Sequence, residues 1–331
     1  MALALNDPGL GARVREVFEQ GRLLAQPTET VYGLAAPIDR PDLIARVFEL
    51  KGRPADNPLI VHVGTLGQAR RVVSEWPEPA ERLSRAFWPG PLTLVLPRAA
   101  CIPDAVTAGL DTVAVRLPDH PAALAVLRAL DVPLVAPSAN LFTCLSPTSA
   151  ADVRAVFSAD QVEILDGGPC RVGIESTIVG IDSRRRRLLW LRPGMLERAE
   201  IVRHLPEGWR LEAPPASEAE GGPRQAPGRM EIHYRPTRPL HVHVCAGRAD
   251  CDRLAERLRG DGARALVVLP EDANRAGRDL YRLLRQADGE NPESIELLLP
   301  AERLRQPAWE GVINRLRKAA TRWIQVPADG G

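Results

Sequence analysis

Residues 112–140 read TVAVRLPDHPAALAVLRALDVPLVAPSAN. Thr112–Leu117 is a short apolar run rich in β-branched valine, the composition of a buried strand. Ala122–Leu130 reads as a helix and Pro133–Ala136 as a second buried strand. Strand, helix and strand in so short a stretch predict an α/β fold. The first strand ends on a cation, Arg116, and the second runs through Pro137 into Ser138 and Asn140. In open α/β sheets ligands sit where strands end, so the same stretch also says where to look for function.

The pattern continues outward. Towards the N-terminus, Asp7-Pro8 reads as the N-cap and first turn of a helix, followed by a strand at Arg22–Ala25 and the polar turn Pro27-Thr28-Glu29-Thr30. A helix at Asp42–Leu50, a strand at Pro58–Val63, helices at 65–75 and 79–87 and a strand at Leu92–Leu96 complete that side. Towards the C-terminus come a helix at 149–157, with Thr148 as a candidate N-cap, and strands near 162–165, 176–181 and 188–192. Residues 1–205 are therefore expected to form one twisted open sheet with flanking helices. Residues 206–237 contain the run EAPPASEAEGGPRQAPGR, which has almost nothing to bury and reads as a linker. From 238 a regular pattern restarts: strands at 240–245, 264–269 and 294–299 alternate with helices at 249–259, 273–286 and 308–322. Such βα repeats predict a small parallel α/β domain, Rossmann-like, over residues 238–331.

Composition narrows the function classes. The 331 residues are 45% apolar and 26% charged, which is ordinary globular usage and enough for two cores. No apolar run approaches the ~18 residues of a membrane span, and the opening MALALNDPGL lacks the features of a signal peptide. A cytoplasmic location without membrane contact is expected. The formal net charge is +1, so no global field draws the chain to nucleic acid, and any anion must be held locally. Cys101, Cys144, Cys170, Cys245 and Cys251 are odd in number and irregularly spaced, as for reduced thiols. Of the 43 basic residues only Lys51 and Lys318 are lysine, which hints that a compact point charge is wanted there.

Familiar signatures are missing. There is no GxxxxGK[ST] loop, no GxGxxG after a strand, no HExxH and no GxSxG. His241, His243 and Cys245 share one face of a strand, but three ligands on one strand rarely converge on a metal, and none is assigned.

What remains is a set of polar strand ends. Lys51 and Arg53 end a helix, where complementing its dipole is worth ~0.5 kcal/mol and explains the cations, though not Asn57 and His62 beyond them. Arg116 at the end of a buried strand needs an anion, and no acidic residue is spaced as its obvious partner, which favours a ligand. Ser138 and Asn140 either cap the next element or contact phosphate. Ser146-Pro147-Thr148 repeats that chemistry, and the glycines from Gly167 to Gly173 permit close approach to a ligand before Glu175-Ser176-Thr177. Arg192 is another cation at an apolar strand's edge. Together they predict a large cationic cleft holding Lys51, Arg53, His62, Arg116 and Arg192. Such a site suits polyanions, and phosphoryl or nucleotidyl transfer can run there on positioning and charge neutralisation alone.

The ordered set PTETVYGL, KGRP, NPLIVH, WPGPLTLVL, TVAVRLPDHP, SAN, SPT, ILDGG, ESTIV and LRPG resembles the YrdC-domain family over residues 20–200. Pro227-Gly228, His233-Tyr234 and Asn314–Ala320 resemble the linker and C-terminal domain of its two-domain form. The resemblance implies an enzyme that joins L-threonine, bicarbonate and ATP into L-threonylcarbamoyl-AMP and releases pyrophosphate. Mg²⁺ would accompany ATP, and the product would feed a downstream transferase that forms N6-threonylcarbamoyladenosine at position 37 of tRNAs reading codons that begin with A. It implies that Thr30, His62, Arg116, Ala136 and Ser176 hold threonine. Arg53, Asn57, Thr112, Ser138, Asn140, Ser146 and Arg192 would hold ATP, Lys51 and Arg53 would serve catalysis, and Tyr234 would close over the nucleotide. Two departures stand out: Phe142-Thr143 replaces the usual Ser-Gly, and Arg235 replaces the alanine of HYAP. The alternatives are an RNA-binding module, for which weak RNA contact stays open, and a carbamoyl transfer from carbamoyl phosphate.

Overall fold

The computed structural model describes residues 9–214, 233–259 and 263–327. Its first sheet is built from β1 (Leu23–Gln26), β2 (Gly33–Pro37), β3 (Ile60–His62), β4 (Leu92–Pro97), β5 (Thr112–Arg116), β6 (Leu134–Val135), β7 (Val162–Ile164), β8 (Thr177–Asp182), β9 (Arg187–Arg192) and β10 (Arg210–Glu212). The order across it is β10-β9-β8-β4-β5-β3-β6-β2-β1-β7. The pairing is mixed: β3 and β5 are parallel, while β6 lies antiparallel to β3 and β4 antiparallel to β5. β1 and β3 are buried on both faces, which explains their continuous apolar runs.

The second sheet holds β11 (Leu240–Cys245), β12 (Arg264–Val268), β13 (Ser294–Pro300) and β14 (Arg322–Gln325), all parallel, in the order β12-β13-β11-β14. The α/β class and the parallel second sheet agree with the sequence reading. The two units are packed together. Val31, Leu145 and Ile174 of the first join Tyr234 and the core of the second, and burying each such side chain contributes roughly 2 kcal/mol.

Local expectations are corrected in several places. Asp7-Pro8 lies outside the described residues, and the helix Leu10–Glu19 has Gly9 as its N-cap. Ser149, not Thr148, caps the helix Ala150–Arg154, through a reciprocal bond with Asp152. The helix expected over 308–322 ends at Ala319, and the chain turns into β14. β2, β10 and β14 were not foreseen. β10 falls in the expected linker yet pairs with β9, while residues 215–232, including Pro227-Gly228, lie outside the described residues. All five cysteines are free, and among the described residues no helix is long and apolar enough to cross a membrane.

Candidate active site

The mixed topology brings strand ends of both directions to one edge. The C-terminal ends of β3, β5 and β9 meet the start of β8, because β4 runs antiparallel to β5 and parallel to β8. His62 and Arg116 stand side by side in register there. The turn at 28–31 and the segment after β6 bound a cavity over this edge.

Thr30, His62, Arg116, Ala136 and Ser176 all line it. The turn that carries Thr30 is fixed by the Thr28 hydroxyl, which accepts from the N–H groups of Thr30 and Val31 at 3.2 Å and donates to the Val31 carbonyl at 2.6 Å. Burial, with Arg116 next to it, holds the His62 pKa well below 6.5, so the ring is neutral, and its Nδ1 has no hydrogen-bond partner among the described residues. The Ser176 hydroxyl meets that of Thr93 at 2.8 Å.

The expectation that Arg116 lacks an acidic partner is overturned. Its Nη2 lies 2.7 Å from Glu29 Oε1, with both side chains almost fully buried. Neither atom, however, makes an aligned hydrogen bond, while Arg116 Nε donates to the Gly90 carbonyl at 3.2 Å. The partner was hidden by its distance along the chain.

Arg53, Ser138, Arg192 and Tyr234 line the same cavity. Arg53 donates to Asn57 Oδ1 at 2.8 Å and the Pro58 carbonyl at 2.9 Å. Arg192 donates to the Ser176 carbonyl at 3.1 Å and its hydroxyl at 3.2 Å.

Five expected residues do not line it. Lys51 is buried behind the wall, where its ammonium donates to the carbonyls of Ser138 and Asn140 and fastens that loop. Burial and the nearby Arg53 push its pKa well below 10.5. Asn140 braces the same loop by donating to the Leu141 and Cys144 carbonyls. Asn57 supports Arg53, and Ser146 donates to Glu175 at 2.5 Å. Thr112 sits at the opposite end of β5 from Arg116, ~13 Å away at the usual strand rise, beside a separate hollow lined by Asp182 and Arg187. The wall thus carries three arginines, with Glu175 as a carboxylate among them and Glu29 just behind. The glycines of the glycine-rich stretch do not line the cavity: a Cβ on Gly173, whose φ is +81°, would lie 2.4 Å from the Arg278 backbone of the second unit, and one on Gly167 would lie 2.5 Å from the His120 ring. His241 and His243 face Glu296 of β13, at 3.1 and 2.5 Å, and among the described residues no cluster is arranged to hold a metal.

Residues 16–194 match the family model Sua5_yciO_yrdC, described as telomere recombination, and residues 195–321 match that of the threonylcarbamoyl-AMP synthase C-terminal domain. A threonylcarbamoyl-AMP synthase of Pyrococcus abyssi is 37% identical over 92% of each chain. One of Bacillus subtilis is 39% identical over 82% of this chain and 76% of its own. The chain belongs to the threonylcarbamoyl-AMP synthase family. A crystal structure of P. abyssi Sua5 complexed with L-threonine superposes with a TM-score of 0.82 at 35% identity, covering 96% of this chain and 95% of that one.

This synthase completes its cavity with residues from beyond the first sheet. His233 and Tyr234 line it from the linker side. Phe142 meets the His233 ring edge-on at 5.8 Å, and Arg235 N–H donates to the Thr143 carbonyl at 2.8 Å. The two sequence departures therefore form the seat of the linker. Thr143 adopts φ +69°, a left-handed conformation uncommon for a β-branched residue. Burial lowers the His233 pKa to about 3, so this ring too is neutral. Glu175 and Arg315 were not foreseen as site residues. The available signal was an arginine within the apolar stripe Val312, Leu316, Ala319 of the helix Glu310–Ala319, which demands a buried acid.

Proposed function

We propose that this synthase condenses L-threonine, bicarbonate and ATP to L-threonylcarbamoyl-AMP, pyrophosphate and water. The observation that carries the reading is one cavity combining small hydroxyls, a neutral imidazole and three guanidinium groups. Thr30, His62, Ser176 and the Ala136 backbone hold threonine, and Arg116 meets its carboxylate. A neutral His62 hydrogen-bonds the substrate without repelling its ammonium. Arg53, Ser138 and Arg192 hold the nucleotide, and Tyr234 covers it. Lys51, Asn57, Asn140 and Ser146 act from behind the wall, and Thr112 is not needed. Threonine's amine and bicarbonate give a carbamate and water. A carbamate oxygen then attacks the α-phosphorus, and the bond to pyrophosphate breaks. The guanidiniums stabilise charge on the leaving group, and enclosure protects the labile carbamate from water.

Magnesium enters with the nucleotide. The carboxylates at the cavity, Glu175 on the wall and Glu29 behind it, are paired with arginines, so phosphate oxygens would be the ion's ligands. The product passes to a transferase that modifies adenosine 37 of tRNA, in the cytoplasm. Pyrophosphate release should require threonine and bicarbonate together. Turnover of ATP indifferent to threonine overturns the substrate assignment.

A further inference from the structure

The helix Glu310–Ala319 of the second unit lies directly on the turn after β9. A Cβ on Gly311 would sit 2.2 Å from the Gly194 carbonyl oxygen, so the two backbones touch with no side chain between them. One turn further along, the Arg315 side chain is completely buried. Its Nε donates to Glu175 Oε2 at 2.7 Å and its Nη2 to the Glu175 carbonyl at 3.0 Å. Its Nη1 donates to the Pro193 carbonyl at 2.7 Å and to Asn314 Oδ1 at 3.0 Å. The guanidinium carbon lies 5.3 Å from the centre of the Tyr234 ring. Tyr281, from the helix Ala273–Gly289, donates to the same Glu175 carboxylate at 3.0 Å, opposite Ser146.

These anchors adjoin the cavity. Glu175 precedes Ser176, Pro193 follows Arg192, and Tyr234 is itself on the wall. We propose that Arg315 is a positioning residue: it fixes Ser176, Arg192 and the Tyr234 ring relative to one another, so the second unit sets the geometry of a site built on the first. The planar fork of arginine matches this arrangement, because four acceptor atoms on three residues are met by one rigid group. The assignment of Ser176 to threonine and of Arg192 and Tyr234 to the nucleotide rests on the function proposed above.

The test compares Arg315→Lys with Glu310→Gln, a change on the same helix at a residue that pairs with Arg198 and Trp190 away from the cavity. Pyrophosphate release is measured against both substrates. Arg315→Lys should raise the KM for ATP and for threonine together by about tenfold, with kcat changed less, whereas Glu310→Gln leaves both within about twofold. Unchanged KM values in Arg315→Lys, or an equal rise in Glu310→Gln, overturn the proposal. If Arg315→Lys does not fold, the pair-removing variant Glu175→Gln/Arg315→Met decides, since it removes both charges of the pair and does not strand one of them. Folded with raised KM it supports positioning, and folded with wild-type KM it refutes it. If the wild-type enzyme ignores threonine, the substrate reading fails separately, and Arg315 is then judged by calorimetric ATP affinity in the same variants, a tenfold loss supporting it and no loss refuting it.

Discussion

Arg116–Glu29 and Arg315–Glu175 are both buried arginine–carboxylate pairs with a closest approach of 2.7 Å, yet they are built differently. Around Arg315 the donors are aligned on acceptors, and Glu175 also accepts from Ser146 and Tyr281. Between Arg116 and Glu29 the facing atoms lack an aligned bond, and Arg116 opens onto the cavity. A saturated buried pair has no capacity left for a ligand and serves as architecture. An unsaturated one at a cavity wall keeps capacity in reserve, which is what a site for a small carboxylate requires.

The largest expected effect breaks the saturated pair. Glu175→Ala should cost about 3–5 kcal/mol, because it strands a buried guanidinium, and Glu29→Ala about half as much, because Arg116 reaches the cavity. Urea denaturation checks both, and equal losses would erase the distinction drawn between the pairs. The acid limb of stability sharpens the same point. Burial raises the Glu175 pKa, but Arg315 and Arg192 outweigh it and hold it at about 2, against 4.5 when unperturbed. The contribution is therefore complete above pH 4.5 and is lost as pH falls towards 2. Glu175→Gln should flatten that slope.

Next in size is Arg116→Ala, which should raise the threonine requirement about a hundredfold, ~3 kcal/mol, with little change in the KM for ATP. Unchanged threonine dependence would show that the loose pair is not poised for a substrate carboxylate. The smallest effect concerns the seat of the linker. Thr143→Gly should stabilise the enzyme by ~1 kcal/mol by relieving a left-handed threonine, read as a rise in Tm.

The α/β class was readable from 112–140 because apolar runs and breaks follow local rules. β10 and β14 escaped because they are short edge strands whose pairing depends on partners in the fold. Strand-tip residues such as His62, Arg116 and Arg192 were legible, since a polar group ending an apolar strand is visible in one dimension. Partners were not: Lys51 is separated by 87 and 89 residues from the carbonyls it holds, and Glu29 sits as far from Arg116. Lys51 was read as a charge for the substrate, and its hold on the 138–140 loop could not be seen along the chain. Arg315 was legible in principle, but its acid lies 140 residues away across the domain seam.

The bare contact of Gly311 on Gly194 has a mechanical consequence. A side chain at position 311 is a wedge of known thickness, driven between the two halves without altering a single ionisable group. Alanine and then valine there would act as a set of feeler gauges, reporting how many tenths of an ångström the seam can open before catalysis notices.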